Sequence, residues 1–60
     1  MPSPVRFSVV KKLLESKGYR LDHTTGSHHI FKKAGAQNVS IPVHQNLVNY
    51  AYYRQAQKAP

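Results

Sequence analysis

Apolar residues recur at helical spacing before Gly18 and alternate with polar residues after it, and this change of period constrains the fold more than any other feature. Val10 and Leu14 lie about one helical turn apart, with lysines between them that fall on the opposite face. A glycine in this position commonly ends a helix, because it adopts the left-handed conformation at little steric cost. The pattern therefore predicts an amphipathic helix over about residues 8–17.

Both ends of this helix carry further signals. Ser8 belongs to the residue types that cap a helix N-terminus, and Lys17 puts a cation in the last turn, where it suits the helix dipole. Tyr19 follows the glycine and can close a hydrophobic contact against that turn. Prolines near the start disfavour helix, so we predict an extended lead-in over residues 1–7.

We predict three later strands, of which the first and the third alternate with period two, as half-buried strands do. They cover residues 19–23, 28–32 and 39–43, and turn-forming residues separate them. Pro42 lacks a backbone donor, so the third strand is predicted at an edge of the sheet or ending there. Tyrosines at helical spacing then predict a second helix over about residues 49–58.

The order helix, three antiparallel strands, helix predicts an α+β fold with both helices on one face of the sheet. The other face must then be polar or covered by a partner. The register of the first two strands stays open. A four-residue loop over 24–27 pairs Leu21 with Ile30 and places His28 on the face of Leu21; one more loop residue pairs Leu21 with Phe31 and turns His28 to the other face.

Charge is the strongest global signal, because nine lysines and arginines face only two acidic residues and give the chain a net charge of +7. Such a field attracts polyanions, so nucleic acid is the first candidate partner and an acidic protein the second. Sixty residues allow one domain, residues 1–60. Without cysteine, and without an apolar run near the ~20 residues that cross a bilayer, we expect a cytoplasmic protein with no membrane partner.

His28 is the candidate catalytic residue that best fits a basic protein with a nucleic-acid substrate. Imidazole accepts and donates protons near neutral pH, and RNA brings its own nucleophile, the 2′-hydroxyl beside the scissile phosphate. A ribonuclease then needs a proton-transfer group, which His28 can supply, and cations for the phosphate. Adjacent strand residues point to opposite faces, so His28 and His29 do not easily chelate one ion, and we expect neither a metal nor another cofactor. The candidate phosphate-binding residues are Arg20, Lys32 and Lys33.

Two further residues are candidates for the same site. Ser27 precedes His28 and can contact substrate, and His44, which follows the third strand, is a second-tier candidate. A strand histidine beside a turn is also commonly an ordinary surface residue. The residues alone therefore leave two alternatives to an enzyme: a non-catalytic RNA-binding module, and an interaction protein whose charge serves an acidic partner.

The chain carries three segments that occur together in one known family: VKKLLESKGY at 10–19, GSHHIF at 26–31 and VSIPVH at 39–44. In so small a basic chain this combination resembles the HicA toxin family, over about residues 8–58. The resemblance implies a fold similar to double-stranded-RNA-binding domains, ribonuclease activity on messenger RNA, and inhibition by a cognate HicB antitoxin. It also implies that His28, in the Gly-Ser-His segment, is the catalytic histidine. We expect a metal-independent endoribonuclease toxin with His28 as general acid/base.

Overall fold

The structure, a computed structural model, describes residues 3–60. Strands β2, β3 and β4 form an antiparallel sheet in that order, and β1 pairs with β5 in a separate two-stranded sheet. This confirms the predicted α+β fold, similar to double-stranded-RNA-binding domains, with β4 at an edge. The elements are β1 (Val5–Arg6), α1 (Phe7–Ser16), β2 (Arg20–Thr25), β3 (His28–Lys32), β4 (Val39–Pro42), β5 (Leu47–Val48) and α2 (Tyr50–Lys58).

Helix α1 begins two residues earlier than the predicted Ser8 cap implies. Its first residue is Phe7 and its N-cap is Arg6, and no side chain caps this end, so the predicted Ser8 cap is wrong. The amide of Phe7 instead donates to the carbonyl of Asn46 at 2.8 Å. Pairing of β1 with β5 therefore determines where the helix begins. The predicted lead-in is extended in β1, and its first two residues lie outside the described part of the chain.

The C-terminus of α1 has the geometry that its glycine predicts. Gly18 adopts a φ of +94°. The amides of Gly18 and Tyr19 donate to the carbonyls of Glu15 and Leu14, each at 3.0 Å, which is the Schellman pattern. Tyr19 is then 3% exposed and belongs to the core. The glycine therefore predicts the end of this helix correctly from local sequence alone.

Lys17 binds the other helix rather than the end of its own. Its Nζ donates to the carbonyls of Ala56 at 2.9 Å, Gln57 at 2.5 Å and Ala59 at 2.7 Å, at the C-terminal end of α2. The carbonyl of Ala56 also accepts from the amide of Ala59 at 3.3 Å. A cation at this end complements the helix dipole. The contact ties the ends of the two helices together.

One hydrophobic core lies between the helices and one face of the three-stranded sheet. Both helices therefore cover the same face, as predicted. Neither helix among residues 3–60 has the length and apolar character needed to span a bilayer. The buried residues of the core are Val10, Leu14, Tyr19, Phe31, Ile41, Val48 and Ala56.

The small sheet of β1 and β5 was not predicted. Its second strand follows a tight turn in which Gln45 and Asn46 both have positive φ, 52° and 64°, as in a type I′ turn. Helix α2 then begins after Asn49, whose side chain accepts from the amide of Ala51 at 2.9 Å. The second helix is confirmed within a residue of its predicted bounds.

The loop between β2 and β3 is shorter than either loop considered from the sequence. Thr25 pairs directly with His28, which leaves Gly26 and Ser27 as a two-residue loop. Gly26 has a φ of +58°, and glycine at this first loop position is typical of a type II′ turn. Strand β2 consequently extends two residues further toward the turn than predicted, while β3 begins at His28 as predicted.

Candidate active site

The face of the three-stranded sheet that the helices leave uncovered, called here the open face, carries side chains from all three strands. Cross-strand pairing assigns residues to it, because Phe31 and Ile41, their alternating neighbours, belong to the core. Six of its eight residues are exposed and the other two are half-buried. They are Arg20, His23, Thr25, His28, Ile30, Lys32, Ser40 and Pro42.

His28 lies on the open face beside the hairpin loop. Its Nδ1 is 3.2 Å from the Oγ of Ser40 on β4, and the ring is exposed. One hydrogen bond at Nδ1 orients the imidazole and leaves Nε2 for a substrate. His29, which points to the other face, packs its ring 4.6 Å from the ring of Phe7. The sequence left undecided which face of the sheet carries His28. In the structure, His28 lies on the face away from the core.

Arg20 and Lys32 form a pair of cations on the same face. They are cross-strand partners of β2 and β3, and both are exposed. The Nζ of Lys32 lies 3.6 Å from Oδ2 of Asp22, but 46% of the Lys32 side chain stays accessible. Two predicted phosphate-binding residues therefore share one surface with His28.

Lys33 lies on the helix side of the sheet. Its Nζ donates to the carbonyl of Pro60 at 3.1 Å and lies 5.5 Å from the centre of the Tyr19 ring. Its stem also passes close to Gly18. Lys33 is thus not brought together with the cations of the open face.

Ser27 and His44 lie near one end of the site. Ser27 is in the hairpin loop, and its carbonyl accepts from the amide of Val43 at 2.8 Å. His44 is exposed and pairs across the next turn with Leu47. Since Pro42 is the cross-strand partner of His28 on β4, His44 follows two residues beyond that pair.

Asp22 and His23 form a contact that the sequence analysis missed. The register of β2 shifts between Leu21 and His23, so Asp22 lies at a β-bulge. Its Oδ2 is 2.6 Å from Nδ1 of His23. This hydrogen bond, with the nearby charge of Lys32, holds the pKa of Asp22 below its ordinary value. Regular strand geometry would send these two neighbours to opposite faces; only the bulge lets them meet.

A groove of about 660 Å³ begins beside His28 and passes the edge of β4. Its lining includes His28 and Ser40 from the sheet and residues 35–38 of the preceding loop. Tyr52 and Gln55 of α2 complete it on the helix side. The groove gives a flexible polymer a path from the open face around the edge of the sheet.

The family model described as HicA toxin of bacterial toxin-antitoxin matches residues 7–50 of the 60-residue chain. The chain belongs to the HicA toxin family. The match includes the whole three-stranded sheet and every residue of the open face, while almost all of α2 lies beyond it. No curated protein matches the chain at a significant level.

As a HicA-family protein, the chain is a toxin of the toxin–antitoxin type, and its open face is equipped for acid–base chemistry next to an anion. An exposed imidazole, a carboxylate-bound imidazole and two cations lie on one surface. Among residues 3–60, no three side chains of His, Asp or Glu cluster in a way that could hold a metal ion. The arrangement can bind a phosphate and move protons around it.

Proposed function

We propose that this HicA-family toxin is an endoribonuclease that cleaves messenger RNA without a metal cofactor, with His28 as its general acid/base. The observation that carries the proposal is the exposed His28 ring on the same face as Arg20 and Lys32. A positioned acid or base contributes on the order of 10²–10⁴ in rate. Cations beside the phosphate add electrostatic stabilisation as negative charge develops.

The reaction uses the nucleophile of the substrate. The 2′-oxygen loses its proton and attacks the adjacent phosphorus, the bond from phosphorus to the 5′-oxygen breaks, and the departing oxygen takes up a proton. The products are a 2′,3′-cyclic phosphate and a free 5′-hydroxyl. The protein needs to supply proton transfer, charge and alignment, all of which fit the open face.

Substrate binding is assigned to the cations around His28. Arg20 and Lys32 would bind the phosphates next to the scissile bond, with Ser27 contacting the strand at the hairpin loop. Lys33, on the helix side, would act on a more distant phosphate, and His44 would extend the surface beyond Pro42. The net charge of +7 favours RNA over neutral ligands.

The proposal includes a protein partner. A HicB-type antitoxin that covers the open face would block both the imidazole and its cations, and the charge of +7 would attract an acidic partner surface. Residues 1–60 would act as a single domain, in the cytoplasm, where messenger RNA is translated.

Cleavage of a transcript by purified protein tests the enzyme. We expect His28→Gln, which retains a hydrogen-bonding group next to Ser40, to reduce cleavage at least 10²-fold. RNA affinity should stay within about twofold, because Arg20 and Lys32, the fixed cations of this face, are unchanged. Lys12→Ala, an exposed change on α1, is the control that should leave cleavage unchanged.

Two outcomes would contradict the proposed function. Full cleavage by His28→Gln would remove His28 from the mechanism. Wild-type protein that binds the transcript and leaves it intact would identify a non-catalytic RNA-binding module instead. An RNA with a single 2′-deoxy nucleotide at the cut site should resist cleavage there, because it lacks the nucleophile.

A further inference from the structure

We propose that His23, oriented by Asp22, is a second catalytic residue: it removes the proton from the 2′-hydroxyl, while His28 protonates the 5′-oxygen. This inference rests on the proposed ribonuclease function and divides its two proton transfers between two side chains. The reaction needs both transfers at each turnover, and one imidazole is poorly placed to perform them on opposite sides of a phosphate.

The two histidines are neighbours on the open face. His23 is the cross-strand partner of Ile30, and His28 lies two residues before Ile30 on β3. Such diagonal neighbours have Cα atoms about 7–8 Å apart. Two imidazoles that rise from one surface at that separation can flank a single phosphate. Ile30, the cross-strand partner of His23, is half-buried and adds apolar surface beside the rings.

The contact with Asp22 orients the His23 ring so that one nitrogen can accept a proton, as a general base must. The Nδ1 of His23 donates to Oδ2 of Asp22 at 2.6 Å, so the second nitrogen, Nε2, keeps its lone pair. The carboxylate also stabilises the imidazolium that forms when the ring takes up a proton, as the aspartate does in a Ser-His-Asp triad. The His23 side chain is 51% exposed, so substrate can reach it.

His28 has a different partner and suits the opposite role. Its Nδ1 faces the hydroxyl of Ser40, whose oxygen can accept a hydrogen bond from Nδ1–H of the cationic ring. Nε2–H is then free to donate to the leaving oxygen. The charged groups near both rings are Arg20 and Lys32 of the open face and Asp22 at the bulge of β2. The residues of β4 on this face are uncharged.

The proton balance closes within the site. The 2′-hydroxyl proton passes to Nε2 of His23 as the 2′-oxygen bonds to phosphorus. The bond from phosphorus to the 5′-oxygen breaks, and the proton on Nε2 of His28 goes to that oxygen. Solvent then returns His23 to its neutral form and His28 to its charged form, and no other reactant is required.

The first test compares His23→Gln, Asp22→Asn and His28→Gln on a transcript, with Thr24→Ala as the control from the same strand. We expect losses of at least 10²-fold for both histidine variants, and a smaller loss, about tenfold, for Asp22→Asn. The wild-type rate should follow a bell-shaped pH profile. His23→Gln should remove the low-pH limb, and Asp22→Asn should move that limb without moving the other, which a purely structural role would not do.

The second test separates acid from base. An RNA oligonucleotide spanning a cut site mapped with wild-type protein is made with sulfur in place of the 5′-oxygen at that site. A thiolate leaves without protonation, so His28→Gln should recover most of its activity on this substrate and His23→Gln should not. Recovery of His23→Gln, or of neither variant, would overturn the assignment.

The outcomes also separate this inference from the proposed function. Full cleavage by His23→Gln together with no cleavage by His28→Gln would overturn only the catalytic role of His23. Absence of cleavage by the wild-type protein would overturn both. Two controls use His23→Gln. It should bind an RNA with 2′-deoxy at the cut site as tightly as wild-type protein does, and its far-ultraviolet circular dichroism spectrum should be unchanged. These results would show that the loss of rate does not come from a loss of folding or of RNA affinity.

Discussion

At the scale of single residues, Asp22 is the side chain whose role depends most on its exact surroundings. It is one of two acidic residues in the chain, and sequence alone suggests an ordinary ion pair for it. The structure gives it two partners on the open face, His23 and Lys32. Its carboxylate therefore stays ionised to a lower pH than a free aspartate, with its pKa lowered chiefly by the hydrogen bond from His23.

This lowered pKa makes a prediction about acid stability. A carboxyl with a lower pKa in the folded state stabilises the fold above its unfolded value of about 3.9, and this stabilisation is lost as the pH falls through the folded pKa. Wild-type protein should therefore melt at a higher temperature than Asp22→Asn near pH 5. The difference should shrink to nothing at the acid end of a pH series. Glu15→Gln, which changes the other acidic residue, should show no such trend; a difference that persists in acid would exclude this explanation.

At the scale of elements, the two helices are joined where Lys17 meets the end of α2. Local pattern correctly predicts both helices, the Gly18 stop and the edge position of β4, because each depends on residues close in sequence. The family match ends at residue 50, where α2 begins. Helix α2 is attached to the matched part by Ala56 in the core, by Tyr52 and Tyr53, which pack against it, and by the Lys17 bonds.

Replacing Lys17 tests this attachment. Lys17→Met keeps the apolar stem and removes the cation that three carbonyls of residues 56–59 share. Hydrogen bonds to charged groups contribute about 1.5–3 kcal/mol when buried, and these are partly exposed, so we expect a loss of about 1–2 kcal/mol in the free energy of unfolding. Urea denaturation measures it. Lys12→Met, the same change at an exposed position, should cost much less; equal losses would show that overall charge, and not the contact, matters.

At the scale of the whole molecule, the net charge of +7 and its position suit the RNA substrate that we propose. The open face and the groove at the β4 edge provide a continuous surface with cations close to His28. The helices occupy the other face and build the core, so the proposed substrate surface and the core lie on opposite sides of one sheet.

Salt dependence measures how many of these cations contact phosphate. For single-stranded RNA the logarithm of the binding constant falls with the logarithm of salt at a slope of about −0.7 per phosphate contact. Arg20→Ala and Lys32→Ala should each reduce the steepness by roughly 0.7, since each removes one contact. Lys12→Ala removes the same charge from an exposed position on α1 and should leave the slope nearly unchanged. Equal effects of all three would mean that only net charge guides binding.

The sequence by itself determined the order of the main elements, the stop at Gly18, the edge strand marked by Pro42 and the choice of His28 as the candidate catalyst. The three structural features follow from residues that are neighbours in the chain, whereas the choice of His28 rests on the net charge and on the family resemblance. Only the tertiary structure decided the face of His28, the pairing of β1 with β5 and the separation of Lys33 from Lys32. It alone brought Asp22 to His23, because a bulge forms only where one strand must match the register of another.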